Sequence, residues 1–223
     1  MKRVTVSIVS HGHGELVSNV LSDLIAYTTN KNFYFQIVLT INIPENDKYL
    51  EPYRDSILII RNDFPKGFGA NHNQAFNRLR SDYFIVLNPD VALKISLDDF
   101  LYTIPNNVGV YAPSIRDDFG NLEDSYRDFP TIKNLLLRYL DKLLSHNQLN
   151  SSEIVNFIYP DWIAGMFMAF PSDVFSNVGG FDESYFMYVE DADICRRIGR
   201  LGYMICVNSE FNVIHDARRS KLK

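Results

Sequence analysis

Five carboxylates crowd the segment from Gly180 to Tyr203: Asp182, Glu183, Glu190, Asp191 and Asp193. They stand among Phe181, Tyr185, Phe186 and Tyr188, side chains that are usually buried. A carboxylate pressed into an apolar wall is costly unless a metal ion, hydrogen bonds or a substrate compensates it, so the cluster reads as a site. The same residues also fit a helix N-terminus, where Glu190, Asp191 and Asp193 would complement the dipole of a helix ended by Gly202. Both readings stay open on this segment alone.

Leu87-Asn88-Pro89-Asp90 offers a second kind of chemistry. A carboxylate directly after a buried strand, on a backbone stiffened by proline, presents a hard oxygen ligand at the sheet edge. It suits Mg2+ or Mn2+ shared with a diphosphate, because these ions keep several waters and need few protein ligands. Lys66-Gly67-Phe68-Gly69-Ala70-Asn71-His72-Asn73 is a glycine loop opening a helix, a form that brings backbone close to a ligand. It lacks the Gly-Lys-Ser/Thr ending of a phosphate loop and the Gly-x-Gly-x-x-Gly spacing of a dinucleotide fold. Gly165, within the apolar run from Trp162 to Phe170, marks close approach of a ligand or relieves a packing clash.

The elements that must position these residues alternate between strand and helix. Val4 to Ser10 is a β-branched strand running into the polar loop Ser10-His11-Gly12-His13-Gly14, and a helix is expected from Glu15 to about Thr28. Further strands are expected at Phe35 to Ile41, Ile57 to Ile60, Tyr83 to Leu87 and Val108 to Ala112, with a helix over Ala70 to Leu79. Trp162 to Phe170 reads as one strand, and Asn212 to Ile214 as a short one before His215. Repeated β-α-β order implies an α/β fold with a mostly parallel central sheet, helices on both faces, and ligands at the carboxyl ends of the strands. The loop after the first strand, the stretch Asn62 to Asn73, and Asn88 to Asp90 all lie there.

Composition bounds the function. The chain of 223 residues, 46% hydrophobic and 22% charged, suits a single globular domain. A net charge of −5 argues against a nucleic-acid partner. Cys195 and Cys206 form neither a zinc pattern nor a disulfide framework and read as core thiols of a cytoplasmic protein. No stretch approaches the roughly 20 apolar residues of a membrane span. Ile132, Leu135, Leu136, Tyr139, Leu140, Leu143 and Leu144 fall at helical spacing, so that segment packs on its own domain or makes a peripheral membrane contact. Ser145 to Ser152 reads as a connection.

In order and spacing the chain resembles the family 2 glycosyltransferases of GT-A fold. Within them it is similar to bacterial rhamnosyltransferases of O-antigen and cell-surface polysaccharide synthesis. The resemblance rests on Ser10-His11-Gly12-His13, Gly67-Phe68-Gly69, Leu87-Asn88-Pro89-Asp90, Asp161-Trp162 with Ala164-Gly165, Tyr185-Phe186-Met187-Tyr188 with Glu190-Asp191, and Ile214-His215. It implies one GT-A domain over residues 1–223, with a nucleotide-sugar half (1–112) and an acceptor-binding, catalytic half (113–223). It implies an inverting transfer of L-rhamnose from dTDP-L-rhamnose to a saccharide linked to a lipid diphosphate, at the inner face of the cytoplasmic membrane. Asp191 is then the base, with Glu190 beside it, and Asp90 and His215 hold Mg2+ or Mn2+. Ser10, His11, Asn42, Asn62, Gly67, Asn73, Asn88 and Asp90 belong to the donor side. Trp162, Gly165 and Tyr188 belong to the acceptor side, and Arg197 matches a family arginine.

Three departures qualify the resemblance. Related sequences carry an acid at the end of strand two that contacts the nucleobase, whereas Thr40-Ile41-Asn42 supplies none and leaves Asn42 as the substitute. Pro65 replaces a common asparagine, and Asp90 is the lone carboxylate of its motif. A basic tail begins with Arg218, Arg219, Lys221 and Lys223. A degenerate nucleotide-sugar or glycan binding module is the rival reading, and a nucleotidyltransferase on a similar sheet is a third.

Overall fold

The computed structural model describes residues 1–28, 32–129 and 156–215. The expected helix at Ile132 to Leu144, the connection Ser145 to Ser152 and the basic tail lie outside them.

Strand β1 (Lys2–Ser10) shows why the sequence folds as a two-faced sheet. Val4, Val6 and Ile8 are buried on one face against Val17, Val20, Leu21 and Leu24 of α1 (Gly14–Tyr27). Successive strand side chains point to opposite faces, so Thr5 and Ser7 face the other side, where they too are fully buried. There the Ser7 hydroxyl meets His72 Nδ1 at 2.8 Å, on the helix α2 (Phe68–Phe76). Burial pushes the His72 pKa down to about 3, so the ring stays neutral.

Parallel strands β2 (Phe33–Ile41) and β3 (Ile57–Arg61) extend the sheet on one side of β1, and β4 (Tyr83–Leu87) pairs parallel on the other. After the two-residue β5 (Val91–Ala92) and helix α3 (Leu97–Tyr102), strand β6 (Val108–Arg116) is fully buried over most of its length. Short strands β7 (Tyr126–Arg127) and β9 (Trp162–Ile163) form a separate antiparallel ribbon, while β8 (Phe157–Ile158) pairs with the long β11 (Met204–His215). Between β4 and β6 lies β10 (Phe167–Pro171), antiparallel to both. The main sheet of nine strands runs β3-β2-β1-β4-β10-β6-β11-β5 with β8 off that path, mostly parallel as expected.

Two cores cover the two faces. Ile85 and Leu87 of β4 and Phe167 and Ala169 of β10 join the α1 and α3 side. Phe84, Val86, Met168 and Phe170 join the side of α2, α4 (Ser172–Asn177) and α5 (Glu190–Arg200). Each fully buried aliphatic or aromatic side chain contributes about 1.5–3 kcal/mol. Because the order reverses beside β1, with β2 on one side and β4 on the other, a crevice opens at the carboxyl ends of these strands.

Several boundaries differ from the sequence reading. The run Trp162 to Phe170 is not one strand: β9 and β10 belong to different sheets, joined by the turn Ala164-Gly165-Met166. The short strand expected before His215 is the end of β11, whose pairing with β6 shifts register between Asn208 and Asn212. That irregularity, with polar Asn208, Ser209, Glu210 and Asn212, hides the continuity from a hydrophobic pattern. Helix α2 starts two residues earlier and stops three earlier than expected, with Gly67 at its N-cap.

Candidate active site

The crevice holds a cavity of about 640 Å³. His11, Asn42 and Asn88-Pro89-Asp90 reach it from the ends of β1, β2 and β4, and Trp162, Gly165, Tyr188, Glu190 and Asp191 reach it from the other half of the chain. Asp90 and Asp191 thus face one space. Ser10, Asn62, Gly67 and Asn73, also expected on the donor side, do not line it.

Those four act one layer back, and each for a visible reason. Ser10 is fully buried and donates to the Glu45 carboxylate at 2.8 Å. Asn62 donates to the side-chain oxygens of Asn42 at 2.9 Å and Asn71 at 2.7 Å. Asn73 grips the backbone of Phe181, donating to its carbonyl at 2.8 Å and accepting from its N–H at 2.9 Å, and also donates to Glu183. Gly67 admits protein rather than ligand: a Cβ there would stand 2.5 Å from the Phe186 carbonyl oxygen, while the Phe68 N–H donates to that same oxygen at 3.0 Å. The glycine loop therefore docks the acidic segment onto α2.

The five carboxylates divide in the same way. Asp193 pairs with Arg197 Nε at 2.7 Å, and Arg197 donates to the carbonyls of Val178 and Gly180, so this arginine holds the segment's shape. Asp182 accepts from the Ser184 N–H at 2.9 Å, a bond that lowers its pKa, and Glu183 is bound to Asn73. Only Glu190 and Asp191 enter the cavity. Both open α5, so the dipole reading and the site reading hold together.

Asp191 is oriented by two backbone donors, Ala192 N–H to Oδ1 at 2.8 Å and Gly165 N–H to Oδ2 at 3.2 Å. Gly165 serves this contact and packing alike, since a Cβ there would stand 2.9 Å from the Phe68 ring. Glu190 is only 5% exposed, and its Oε2 has no hydrogen-bond partner. Burial raises its pKa, with the Asp191 charge adding to the effect. Immediately before them, Tyr188 and Val189 adopt φ of 71° and 75°, a left-handed backbone that costs a β-branched residue about 1–3 kcal/mol.

At the other wall, Asp90 Oδ1 is buried without a partner, and Oδ2 lies 3.3 Å from His215 Nε2. His215 Nδ1 in turn meets Glu123 at 2.8 Å. The Asp90 hydrogen bond is the main reason the His215 pKa rises to about 9, with Glu123 adding to it. Two ligands set at right angles about 2.1 Å from a six-coordinate ion are roughly 3 Å apart, so Asp90 and His215 fit Mg2+ or Mn2+. Among the described residues no group of three or more His, Cys, Asp or Glu forms a metal cage, so an ion here takes its other ligands from water or substrate.

Comparison with known proteins supplies the kinship. The chain is 29% identical to Rhamnosyltransferase WbbL of Escherichia coli (strain K12), with 96% of this chain and 83% of that protein covered. It is 30% identical to the N-acetylglucosaminyl-diphospho-decaprenol L-rhamnosyltransferase of Mycobacterium tuberculosis (strain CDC 1551 / Oshkosh), over 62% of this chain and 48% of that one. Among solved structures, GalNAc-T7 with UDP, GalNAc and Mn2+ superposes with a TM-score of 0.73 at 15% identity, covering 98% of this chain and 44% of that one. The chain has the GT-A fold of these glycosyltransferases and is similar in sequence to rhamnosyltransferases. No protein-family model matches it.

Two residues behind the cavity gave no local signal in the sequence. Glu45 follows β2 by four residues and ties the β1 loop, accepting from Ser10, from the Gly12 N–H at 2.7 Å and from the Tyr49 hydroxyl. Glu123 supports His215 from a loop 92 residues away. A carboxylate among Pro44, Asn46 and Asp47, or between Leu122 and Asp124, looks like any surface acid.

Proposed function

We propose that the chain is a metal-dependent inverting glycosyltransferase. Its donor is dTDP-L-rhamnose, and its acceptor is a saccharide hydroxyl linked to a lipid diphosphate, in cell-surface polysaccharide synthesis. The observation that carries the reading is the meeting of Asp90 and Asp191 across one cavity at the strand ends. The names of the two relatives support the sugar, and the mycobacterial one supports the lipid-linked acceptor. Residues 1–112 are assigned to the donor and 113–223 to the acceptor and catalysis. The protein works at the inner face of the cytoplasmic membrane, where such an acceptor resides.

In this mechanism Asp191, held by its two backbone donors, takes the proton of the attacking hydroxyl as its oxygen bonds to the anomeric carbon. The bond from that carbon to the diphosphate breaks on the opposite face, and its electron pair leaves with the nucleoside diphosphate. Mg2+ or Mn2+ bound at Asp90 and His215 would supply charge neutralisation for that leaving group. Glu190 holds a second acceptor hydroxyl, and Trp162 and Tyr188 give the sugar ring apolar faces. These roles have no use in a pure binding module.

A thermal-shift panel of dTDP-L-rhamnose, UDP-sugars and GDP-sugars, with and without Mn2+, tests the assignment. A donor at 100 times its Kd stabilises by about 2.7 kcal/mol. No stabilisation by any nucleotide sugar would overturn the reading, and a Mn2+-dependent response confined to another sugar would overturn the rhamnose assignment.

A further inference from the structure

Asn42 at the end of β2 has every hydrogen-bonding position of its amide in use, and backbone groups fix which way it faces. The Lys66 N–H donates to Oδ1 at 2.8 Å, Asn62 donates to the same oxygen, and Nδ2 donates to the Lys66 carbonyl at 3.0 Å. Turning the amide over would set donor against donor and acceptor against acceptor, so its oxygen and nitrogen are not interchangeable. The remaining Nδ2 proton points at His11 Nδ1, 3.2 Å away. That ring nitrogen must accept, which leaves the single proton of the neutral imidazole on Nε2. His11 lines the cavity, and among the described residues nothing pairs with its Nε2.

Asn42 is therefore not free to read a ligand through its side chain, although it lines the cavity. On the nucleotide-sugar reading above, the diphosphate lies at Asp90 and the transferred sugar at Asp191, so the end formed by His11, Asn42 and Lys66 is left for the base. An acid at the end of β2 would accept a proton from a base; here the ring beside Asn42 offers one instead.

We infer that Asn42 fixes the His11 tautomer and that His11 Nε2–H donates to a carbonyl oxygen of the nucleobase, selecting keto bases (uracil, thymine, guanine) over amino bases (cytosine, adenine). An exocyclic amino group at that position would set its own protons against Nε2–H, a mismatch that costs at least one net hydrogen bond. About 10-fold in affinity corresponds to such a loss. In this pair Asn42 is a positioning residue and His11 the specificity-determining one.

The test joins nitrogen NMR of the metal-free full chain, labelled at histidine, with calorimetric titrations of UDP, CDP, GDP and ADP in the presence of Mn2+. The His11 resonances, identified by their loss in His11→Phe, are expected to show an unprotonated Nδ1 and a protonated Nε2. UDP is expected to bind about 10-fold tighter than CDP, and GDP about 10-fold tighter than ADP. His11→Phe should erase both ratios, and Asn42→Ala, which frees the ring to change tautomer, should narrow them. A protonated Nδ1 in the wild type, equal affinities within each pair, or ratios that survive in His11→Phe would overturn the inference while leaving the transferase reading intact. Failure of every diphosphate to bind the wild type would sink both.

Discussion

The two walls of the cavity are built in opposite ways. On the side of β1 and β2, Asn42, Asn62, Asn71 and the Lys66 backbone form a network in which each of the three amide NH2 groups donates twice, at 2.7–3.2 Å. Across the cavity the acidic segment carries consecutive left-handed residues, an unpartnered Glu190 oxygen and exposed side chains from Phe186 to Val189, with Tyr188 77% exposed. A network whose donors are all engaged is rigid and adds little affinity of its own, whereas unsatisfied groups and strain are what a ligand can relieve. One wall is a preformed mould; the other holds the groups that wait for substrate.

Asp191→Asn breaks the comparison most sharply. Removing the proton acceptor should lower kcat about 10²–10⁴-fold while donor binding, set by the opposite wall, stays within about 2-fold. Steady-state kinetics beside calorimetry checks this, and undiminished turnover would remove Asp191 from its role. Gly67→Val, which drives a side chain into the Phe186 backbone, should uncouple the walls: thermal unfolding should fall by the equivalent of about 3 kcal/mol or more, and activity should fall with it.

Smaller changes sharpen it. Asn62→Ala takes a donor from two buried amide oxygens and should cost about 2 kcal/mol, measured by chemical denaturation. Glu190→Gln should do the reverse, raising stability by about 1 kcal/mol at pH 7, because it replaces a buried carboxylate whose oxygen lacks a partner. The sign follows from the raised pKa of Glu190. Its stabilising share is present below the ordinary carboxylate pKa and lost as pH rises through the raised one, so the variant's advantage should vanish in acid. Val189→Gly relieves the left-handed strain of a β-branched residue and should stabilise by about 0.5–1 kcal/mol. A lower melting temperature in that variant would deny that strain is stored there.

Strand ends were legible where the pattern was regular. β1 and β4 read directly from β-branched and aliphatic runs, and the turn Asn88-Pro89-Asp90 followed from a strand that stops at proline. The helix after Glu190 was legible from its acidic first turn and Gly202. The division of labour among the polar residues was not. Asn42, Asn62 and Asn73 carry the same amide as Asn88, and only their neighbours decide which face a ligand and which hold the chain. Likewise the Trp162 to Phe170 run looks continuous because hydrophobicity does not record which of two sheets a strand joins.

By itself the sequence determined the α/β order, the two-faced sheet and the residues able to bind metal or take a proton, because these follow from local periodicity and side-chain type. The tertiary structure alone decided that Asp90 and Asp191, a hundred residues apart, share one cavity. It also decided that Glu45 and Glu123 hold residues of the site, and that the Asn42 amide meets the His11 ring. Each of these is a distance between segments remote in the chain, and hydrogen bonds and desolvation take their strength from such distances rather than from composition.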